Sequence, residues 1–115
     1  MNDPHAFSGL FAGDHFIHEF TISGQLLYAY GLIRKIDGEG KYHSDYQSQQ
    51  PPSKTIELEP ESHRVLARIS KKAYALARLR QWPNTAAEVA TIVDYSSGKA
   101  IRLSVTERLR LLLIN

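Results

Sequence analysis

QLLYAYGLIRKIDGEGKYHSDYQS, residues 25–48, decides the fold, because it contains two predicted strands and the turn between them. The run QLLYAYGLIRKI (25–36) is rich in aromatic and aliphatic residues, which is typical of a central strand covered on both faces. DGEG (37–40) predicts a tight hairpin turn, since Asp-Gly tolerates the positive φ that such turns demand. KYHSDYQS (41–48) then predicts the returning strand, so the whole stretch predicts a β-hairpin.

The sequence on either side of this hairpin extends the predicted sheet. HFIHEFTI (15–22) alternates its side chains with a period of two, which indicates a strand. KTIELE (54–59) predicts a short fourth strand, after a loop whose two prolines cannot sit inside a sheet. Residues 1–14 show no clear period and predict an irregular arm. Residues 15–59 therefore predict an antiparallel β-meander of three or four strands.

Residues 60–115 predict a helical part with about three α-helices. Pro60 suits the first position of a helix, where its missing N–H costs nothing. Residues 61–82 then show the period of an amphipathic helix, with an apolar stripe for the core. The opposite side of this predicted helix carries four basic residues, Arg64, Arg68, Lys71 and Arg78. Pro83 ends it.

The sequence after Pro83 predicts the remaining helices. TAAE (85–88) matches a capping box, so a second helix is predicted from Ala86 to Asp94. Two alternatives remain open beyond it. The chain either resumes as one helix from Lys99 or forms a short strand over AIRLSV (100–105), followed by a helix from Thr106.

The composition bounds the class of protein. With 115 residues, 43% apolar and 23% charged, the chain has the size and composition of one compact α+β domain spanning residues 1–115. The absence of cysteine excludes disulfides, thiolate zinc sites and thiol nucleophiles. No apolar run approaches the roughly 20 residues that a membrane span needs, and no secretory signal pattern is visible. We therefore expect no membrane partner and a cytoplasmic location.

The charges are divided unevenly between the two halves. Residues 1–63 hold four basic and nine acidic side chains, which gives 4 − 9 = −5. Residues 64–115 hold ten basic and three acidic side chains, which gives 10 − 3 = +7. This asymmetry points to an anionic partner for the C-terminal half. The alternative is that the two halves neutralise one another across a shared interface.

NTAAEVATIVDYSSGKAIRLS (84–104) resembles the generic helix-turn-helix pattern. Ala90 is the small residue that lets two helices pack closely, and Asp94 takes the position of the turn. The second helix would begin at Ser96 or Ser97 and expose three residues to the major groove, Ser97, Lys99 and Arg102. The alternative is a plain helical hairpin packed on the sheet, because this pattern is degenerate and names no family.

The four basic residues of the predicted first helix are the second candidate for a nucleic-acid contact. A row of cations on one rigid helix can neutralise several phosphates at once. Tyr74 and Trp82 lie beside this row and could stack on bases. The alternative is a solvated helix face whose Arg stems cover apolar surface.

Four tyrosines of the predicted sheet form a third candidate surface. Tyr28 and Tyr30 share one side of the long strand, and Tyr42 and Tyr46 are expected across from them. Such a patch suits binding of a partner protein. The alternative is a cross-strand aromatic cluster that stabilises the sheet.

Signatures of catalysis are poor. His15, His18 and Glu19 would share one side of a helix, as a metal site needs, but on a strand His18 points away from the other two. Neither a phosphate-binding loop nor a nucleophile elbow is present. We therefore expect no enzyme activity, no metal and no cofactor.

The leading hypothesis is a small nucleic-acid-binding protein, a regulator that binds duplex DNA. A homodimer is expected with it, because helix-turn-helix modules usually bind paired half-sites. The alternative hypothesis is a non-enzymatic adaptor or inhibitor, phage- or plasmid-borne, that binds a protein partner through the tyrosine-bearing sheet.

Overall fold

The computed structural model describes residues 10–22, 24–40, 42–46, 55–57 and 64–114. It confirms the α+β class, with strands first and helices after them. Within the described ranges the elements are β1 (His15–Ile22), β2 (Gln25–Ile36), β3 (Tyr42–Tyr46), β4 (Thr55–Glu57), β5 (Arg64–Ile69), α1 (Lys71–Leu79), α2 (Ala86–Ser96) and α3 (Val105–Leu111). None of the described helices is long and apolar enough to cross a membrane.

The strands form one antiparallel sheet in the order β4-β3-β2-β1-β5. The predicted hairpin is confirmed, and Ile36 pairs with Tyr42 at its closed end. Gly40 adopts the positive φ of +82° that the turn demands, and its N–H donates to the Asp37 carbonyl at 3.0 Å. The predicted short fourth strand is also confirmed as β4, which pairs with β3.

The central strand β2 is covered on both faces, as its sequence predicts. Ile17 and Tyr30 are paired and belong to the core that the helices cover. Phe16 and Ile33 lie on the opposite face and are fully buried as well. Gly31 pairs with Phe16, and a Cβ there would meet that ring at 2.6 Å. Only glycine lets the Phe16 ring lie this close to the strand backbone.

The prediction of one helix over residues 61–82 is wrong. Residues 64–69 instead form β5, which pairs with β1 and places Ala67 beside Ile17. The β-branched Val65 and Ile69 suit a strand, and the pairing satisfies backbone groups along β1 that a helix would leave open. Ser70 then begins α1, because its hydroxyl accepts from the Ala73 N–H at 3.0 Å.

Helix α1 also ends earlier than Pro83. Gln81 and Trp82 both adopt left-handed φ values, 59° and 60°, and the Trp82 N–H donates back to the Ala77 carbonyl at 2.8 Å. This turn lays the Trp82 ring 5.3 Å from Tyr30. The aromatic contacts offset the cost of the strained backbone.

The second helix of the predicted pair begins later than the helix-turn-helix pattern requires. Helix α2 runs through Asp94 to Ser96, and Gly98, with φ of +90°, ends it. Residues 99–104 are neither helix nor strand, so the helix from Lys99 and the strand over 100–105 are both wrong, whereas the helix predicted from Thr106 is confirmed within one residue. Helix α3 begins after Ser104, which forms a capping box with Glu107. The predicted recognition helix is therefore absent from this described part of the chain.

Some expectations lie outside the described residues. They concern most of the N-terminal arm, the proline-containing loop and Pro60 as a helix start, that is residues 1–9, 47–54 and 58–63. The Thr85 cap of α2 is confirmed, since its hydroxyl accepts from the Glu88 N–H at 3.3 Å.

Candidate functional site

The four residues of the predicted basic stripe do not share one helix. Arg64 and Arg68 belong to β5, whereas Lys71 and Arg78 belong to α1. Lys71 and Arg78 are seven residues apart, so they share one side of α1 with roughly 10 Å between them along its axis. Of the four residues, only Lys71 and Arg78 share one side of a helix. Arg64 and Arg68 do not continue that row, because side chains in a strand and in a helix repeat with different periods.

The three residues predicted to enter the major groove lie on the connection between α2 and α3. The Ser97 hydroxyl donates to the Val93 carbonyl at 2.9 Å, so it closes the end of α2. Lys99 pairs with Asp94 at 3.5 Å. Arg102 is exposed, and unlike Lys99 it has no carboxylate partner among the described residues.

A partly buried ion pair holds this connection against α1. The Arg80 guanidinium donates to both oxygens of the Glu107 carboxylate, at 2.8 and 3.1 Å. It also donates to the Arg102 carbonyl at 3.0 Å. Arg80 therefore ties the end of α1 to the connection and to the first turn of α3, which fixes where Arg102 emerges.

This ion pair shifts the ionisation of both partners. Hydrogen bonds from Arg80 and from the Ser104 N–H, only partly opposed by burial, lower the pKa of Glu107 to about 2. The hydrogen bond to Glu107 raises the pKa of Arg80. Both groups stay charged across the physiological range, so the pair is a permanent structural contact.

The other exposed cations of the helices form a basic surface. It consists of Lys71, Lys72, Arg78, Arg102, Arg108 and Arg110. Within the described ranges, none of these six forms an ion pair with a carboxylate, because the acids of the helices are engaged elsewhere. We call this set the basic surface. Sequence reasoning missed Lys72, Arg108 and Arg110, although the excess of +7 in residues 64–115 includes them.

Two members of the basic surface come from different helices and meet. Arg78 of α1 and Arg110 of α3 line one shallow pocket of about 180 Å³ with the apolar side chains Leu79 and Leu113. Lys71 lies at the opposite end of α1. The pocket therefore brings Arg78 and Arg110 together, whereas Lys71 and Lys72 lie at the other end of α1.

A second pocket opens where α1 begins. It has a volume of about 500 Å³, and Arg68, Lys71 and His15 contribute to its wall. Arg68 is also 3.8 Å from Asp14, which partly offsets its charge. Burial, and next the charge of Lys71, lower the pKa of His15, while Asp14 opposes them. This shift favours the neutral form of His15, so Lys71 and Arg68 are the cations of this pocket.

Tyr28 and Tyr30 are buried, so these two predicted contact residues are not part of a surface patch. Tyr30 is fully buried, and its hydroxyl donates to the Pro83 carbonyl at 2.6 Å. Tyr28 is 9% exposed, beneath α2. Tyr42 pairs with Ile36 and Tyr46 with Gly31, so neither lies across from the other two. The tyrosine pair on β2 serves packing of the helices on the sheet.

Tyr74 is likewise unable to stack on bases. It is only 7% exposed, and its ring packs between His15 at 4.3 Å and Trp82 at 5.2 Å. Burial raises the pKa of Tyr74 well above its ordinary value. Trp82, which is half-buried in the same cluster, is also part of the packing rather than of a free stacking platform.

The two histidines of β1 lie on opposite faces of the sheet. His15 pairs with Leu32 and His18 with Ala29, three positions apart along β1. His18 is only 2% exposed. No group of three or more His, Asp or Glu side chains in the described part of the chain is arranged to hold a metal ion.

No known protein family model matches this chain, and neither a curated protein nor a solved structure shows significant similarity to it.

Proposed function

We propose that this protein is a small non-enzymatic nucleic-acid-binding protein that contacts phosphates through its basic surface. The observation that carries the proposal is the set of six exposed cations without carboxylate partners among the described residues. Phosphates repeat at one charge per roughly 1.7 Å of duplex axis, so a surface of this kind can neutralise several at once. Duplex DNA is the expected ligand, and regulation of transcription is the expected role.

The start of α1 supports this proposal. Lys71 and Lys72 occupy its first turn, which contains no acidic residue. Cations at this end of a helix oppose the helix dipole and lower its stability by roughly 0.3–1 kcal/mol each. The first turns of α2 and α3 instead carry Glu88 and Glu107. Residues that violate a local stability rule are expected where function requires them.

The mode of binding follows from the position of these cations. They lie on helix ends and on the connection between helices, without a recognition helix, so phosphate contacts outnumber base contacts. We expect weak sequence preference and strong dependence on salt. A homodimer follows only from a helix-turn-helix module. This mode of binding therefore does not require one.

The test is binding of a random-sequence DNA duplex to the full chain, measured by fluorescence anisotropy across a salt series. We expect micromolar affinity at low salt and a slope of log K against log salt of about −3.6 to −5.4, for four to six phosphates. The double variant Lys71→Glu, Lys72→Glu should weaken binding at least tenfold. The variant introduces acidic residues into the first turn of α1, where they interact favourably with the helix dipole. It should therefore not lower the melting temperature.

The matched control changes the same amount of charge on the sheet. Arg34 and Lys35 are exposed on β2, and Arg34→Glu with Lys35→Glu should leave DNA affinity within about twofold apart from the effect of net charge. Equal losses in both double variants would mean that net charge alone attracts DNA. Absence of binding by the unmodified chain at low salt would refute the proposal.

A further inference from the structure

Helix α3 presents an apolar stripe to solvent. Val105, Leu109 and Leu112 are 73%, 61% and 73% exposed. Their spacing of i, i+4 and i+7 places them on one side of the helix. Leu113 follows at 80% exposure and extends the same patch. Single exposed leucines are common on soluble proteins, but a contiguous apolar row marks an interaction surface.

The opposite side of α3 is already committed to the core. Leu111 is only 3% exposed, and Glu107 is bonded to Arg80 of α1. The helix therefore cannot rotate to bury its outer stripe against its own domain. The stripe is a fixed surface, held in place by the capping box at Ser104 and by the ion pair.

The borders of the stripe are positively charged. At about 100° per residue, Arg108 lies on one side of the stripe and Arg110 on the other. Both side chains are exposed, and neither forms an ion pair with a described carboxylate. An apolar row between two arginines complements a surface with an apolar row between carboxylates.

We propose that the outer stripe of α3, with Arg108 and Arg110, docks an acidic amphipathic helix of a partner protein. The i, i+4, i+7 row is the pattern by which one helix packs on another. A second copy of this chain fits less well, because it would bring the arginines of two α3 helices together.

The size of the stripe sets the expected strength. Each exposed aliphatic side chain offers on the order of 100 Å² of apolar surface, so the patch is small compared with the roughly 800 Å² per partner of a stable complex. The complex is therefore weak and reversible. This inference does not rest on nucleic-acid binding, although a docked acidic helix would cover two of the six cations of the basic surface.

The experiment uses the full chain and two synthetic helical peptides with the same leucine row. One peptide carries glutamates on both borders of the row, and the other carries lysines. We expect a micromolar Kd for the acidic peptide by isothermal titration calorimetry and at least tenfold weaker binding of the basic one. The variant Leu109→Ser with Leu112→Ser should lose at least tenfold in affinity for the acidic peptide.

Controls separate docking from folding and from DNA binding. Because Leu109 and Leu112 are exposed, their double variant should keep the melting temperature and the DNA affinity of the unmodified chain. Phe11→Ser removes an equally exposed apolar side chain, 67% accessible, from the segment before β1 and should keep peptide binding. Lys71→Glu with Lys72→Glu should lose DNA but keep the peptide, so the two proposals fail separately.

Several results would overturn this inference. They are absence of binding by the acidic peptide, equal binding of both peptides, or unchanged binding by the leucine variant. A dimer in analytical ultracentrifugation that the leucine variant dissociates would assign the stripe to a second copy. Binding to phosphatidylserine vesicles without binding to the peptide would assign it to a membrane.

Discussion

Exposed arginines on the sheet and on the helices of this protein differ in whether they meet a carboxylate. On the sheet, Arg34 of β2 is 59% exposed and still pairs with Asp45 of β3 at 3.0 Å. His43 contacts Asp37 at 3.0 Å across the hairpin. On the helices, Arg78 is also exposed and meets no carboxylate among the described residues. Exposure alone therefore does not distinguish a structural cation from a candidate ligand contact, whereas pairing does.

The large apolar side chains show a second difference between the sheet and the helices. The sheet contributes Tyr28 and Tyr30, which the helices bury, so the tyrosines explain stability rather than binding. The helices contribute the aliphatic row of α3, which is exposed to solvent. The sheet is thus the scaffold in this molecule, and the helices carry the candidate surfaces.

The largest effect that tests this contrast is expected at Tyr30. Tyr30→Ala removes a fully buried ring that packs on Trp82, and it should lower the free energy of unfolding by about 3–5 kcal/mol. Tyr30→Phe keeps the ring but leaves the Pro83 carbonyl without its donor, so it should cost about 1–2 kcal/mol. Urea unfolding followed by circular dichroism measures both.

The outcome at Tyr30 decides between scaffold and surface. If Tyr30→Ala lowered the stability by less than about 1 kcal/mol, the tyrosine would not be a core residue, and the sheet would return as a binding surface. If the loss is large while Tyr30→Phe retains DNA binding, the sheet acts only as the scaffold.

An intermediate effect is expected at the ion pair between α1 and α3. Glu107→Gln should cost about 1–2 kcal/mol at pH 7, between the values for exposed and buried pairs. The pKa of Glu107 in the folded protein is about 2, below the 4.5 of the free group, so the unfolded chain takes up the proton first as the pH falls. The stabilisation is therefore complete above pH 4.5 and is lost between pH 4.5 and pH 2.

Urea midpoints at pH 7, 5 and 3 measure this pH dependence. The Glu107→Gln variant should approach the unmodified chain as the pH decreases. Asp94→Asn is the matched control, because the Asp94–Lys99 pair is long, at 3.5 Å, and exposed. It should change the stability by less than about 0.5 kcal/mol at any of these pH values. A pH-independent cost of Glu107→Gln would show that the charge of Glu107 is not what stabilises α3.

The sheet was largely predictable from sequence, because its signals are local. The two-residue alternation of 15–22 and the DGEG turn at 37–40 each specify backbone geometry within a few residues, although the positive φ lies at Gly40 rather than at Asp37 or Gly38. The bounds of β1 and β2 agree with these predictions to the residue. The paired tyrosines were misjudged because burial by a distant helix is not encoded in the strand itself.

The helical part was predicted less well, because local pattern and tertiary pairing disagree there. The pattern of RVLARI (64–69) fits a helix as well as a strand. The segment forms a strand because it pairs with the open edge of β1. Ser70 and Ser104 could have marked the starts of α1 and α3, because serine is a preferred N-cap residue. The Arg80–Glu107 pair joins residues 27 apart and left no local signal.

The smallest effect on stability, and the most informative on function, is expected at Arg78. Arg78→Ala should leave the stability within about 0.5 kcal/mol, since the side chain is exposed and unpaired among the described residues. It should reduce the magnitude of the salt slope of DNA binding by about 1, as the loss of one phosphate contact does. Fluorescence anisotropy across the salt series measures this slope.

Arg34→Ala sharpens the comparison because it removes the same side chain from the sheet. Both variants lower the net charge by one, so a difference between their slopes reports position rather than charge. We expect the slope to stay unchanged in Arg34→Ala, because its guanidinium already contacts Asp45. A slope that falls equally in both variants would remove the distinction between Arg34, which is paired, and Arg78, which meets no described carboxylate. Phosphates would then be attracted by the summed field of the protein rather than by the basic surface.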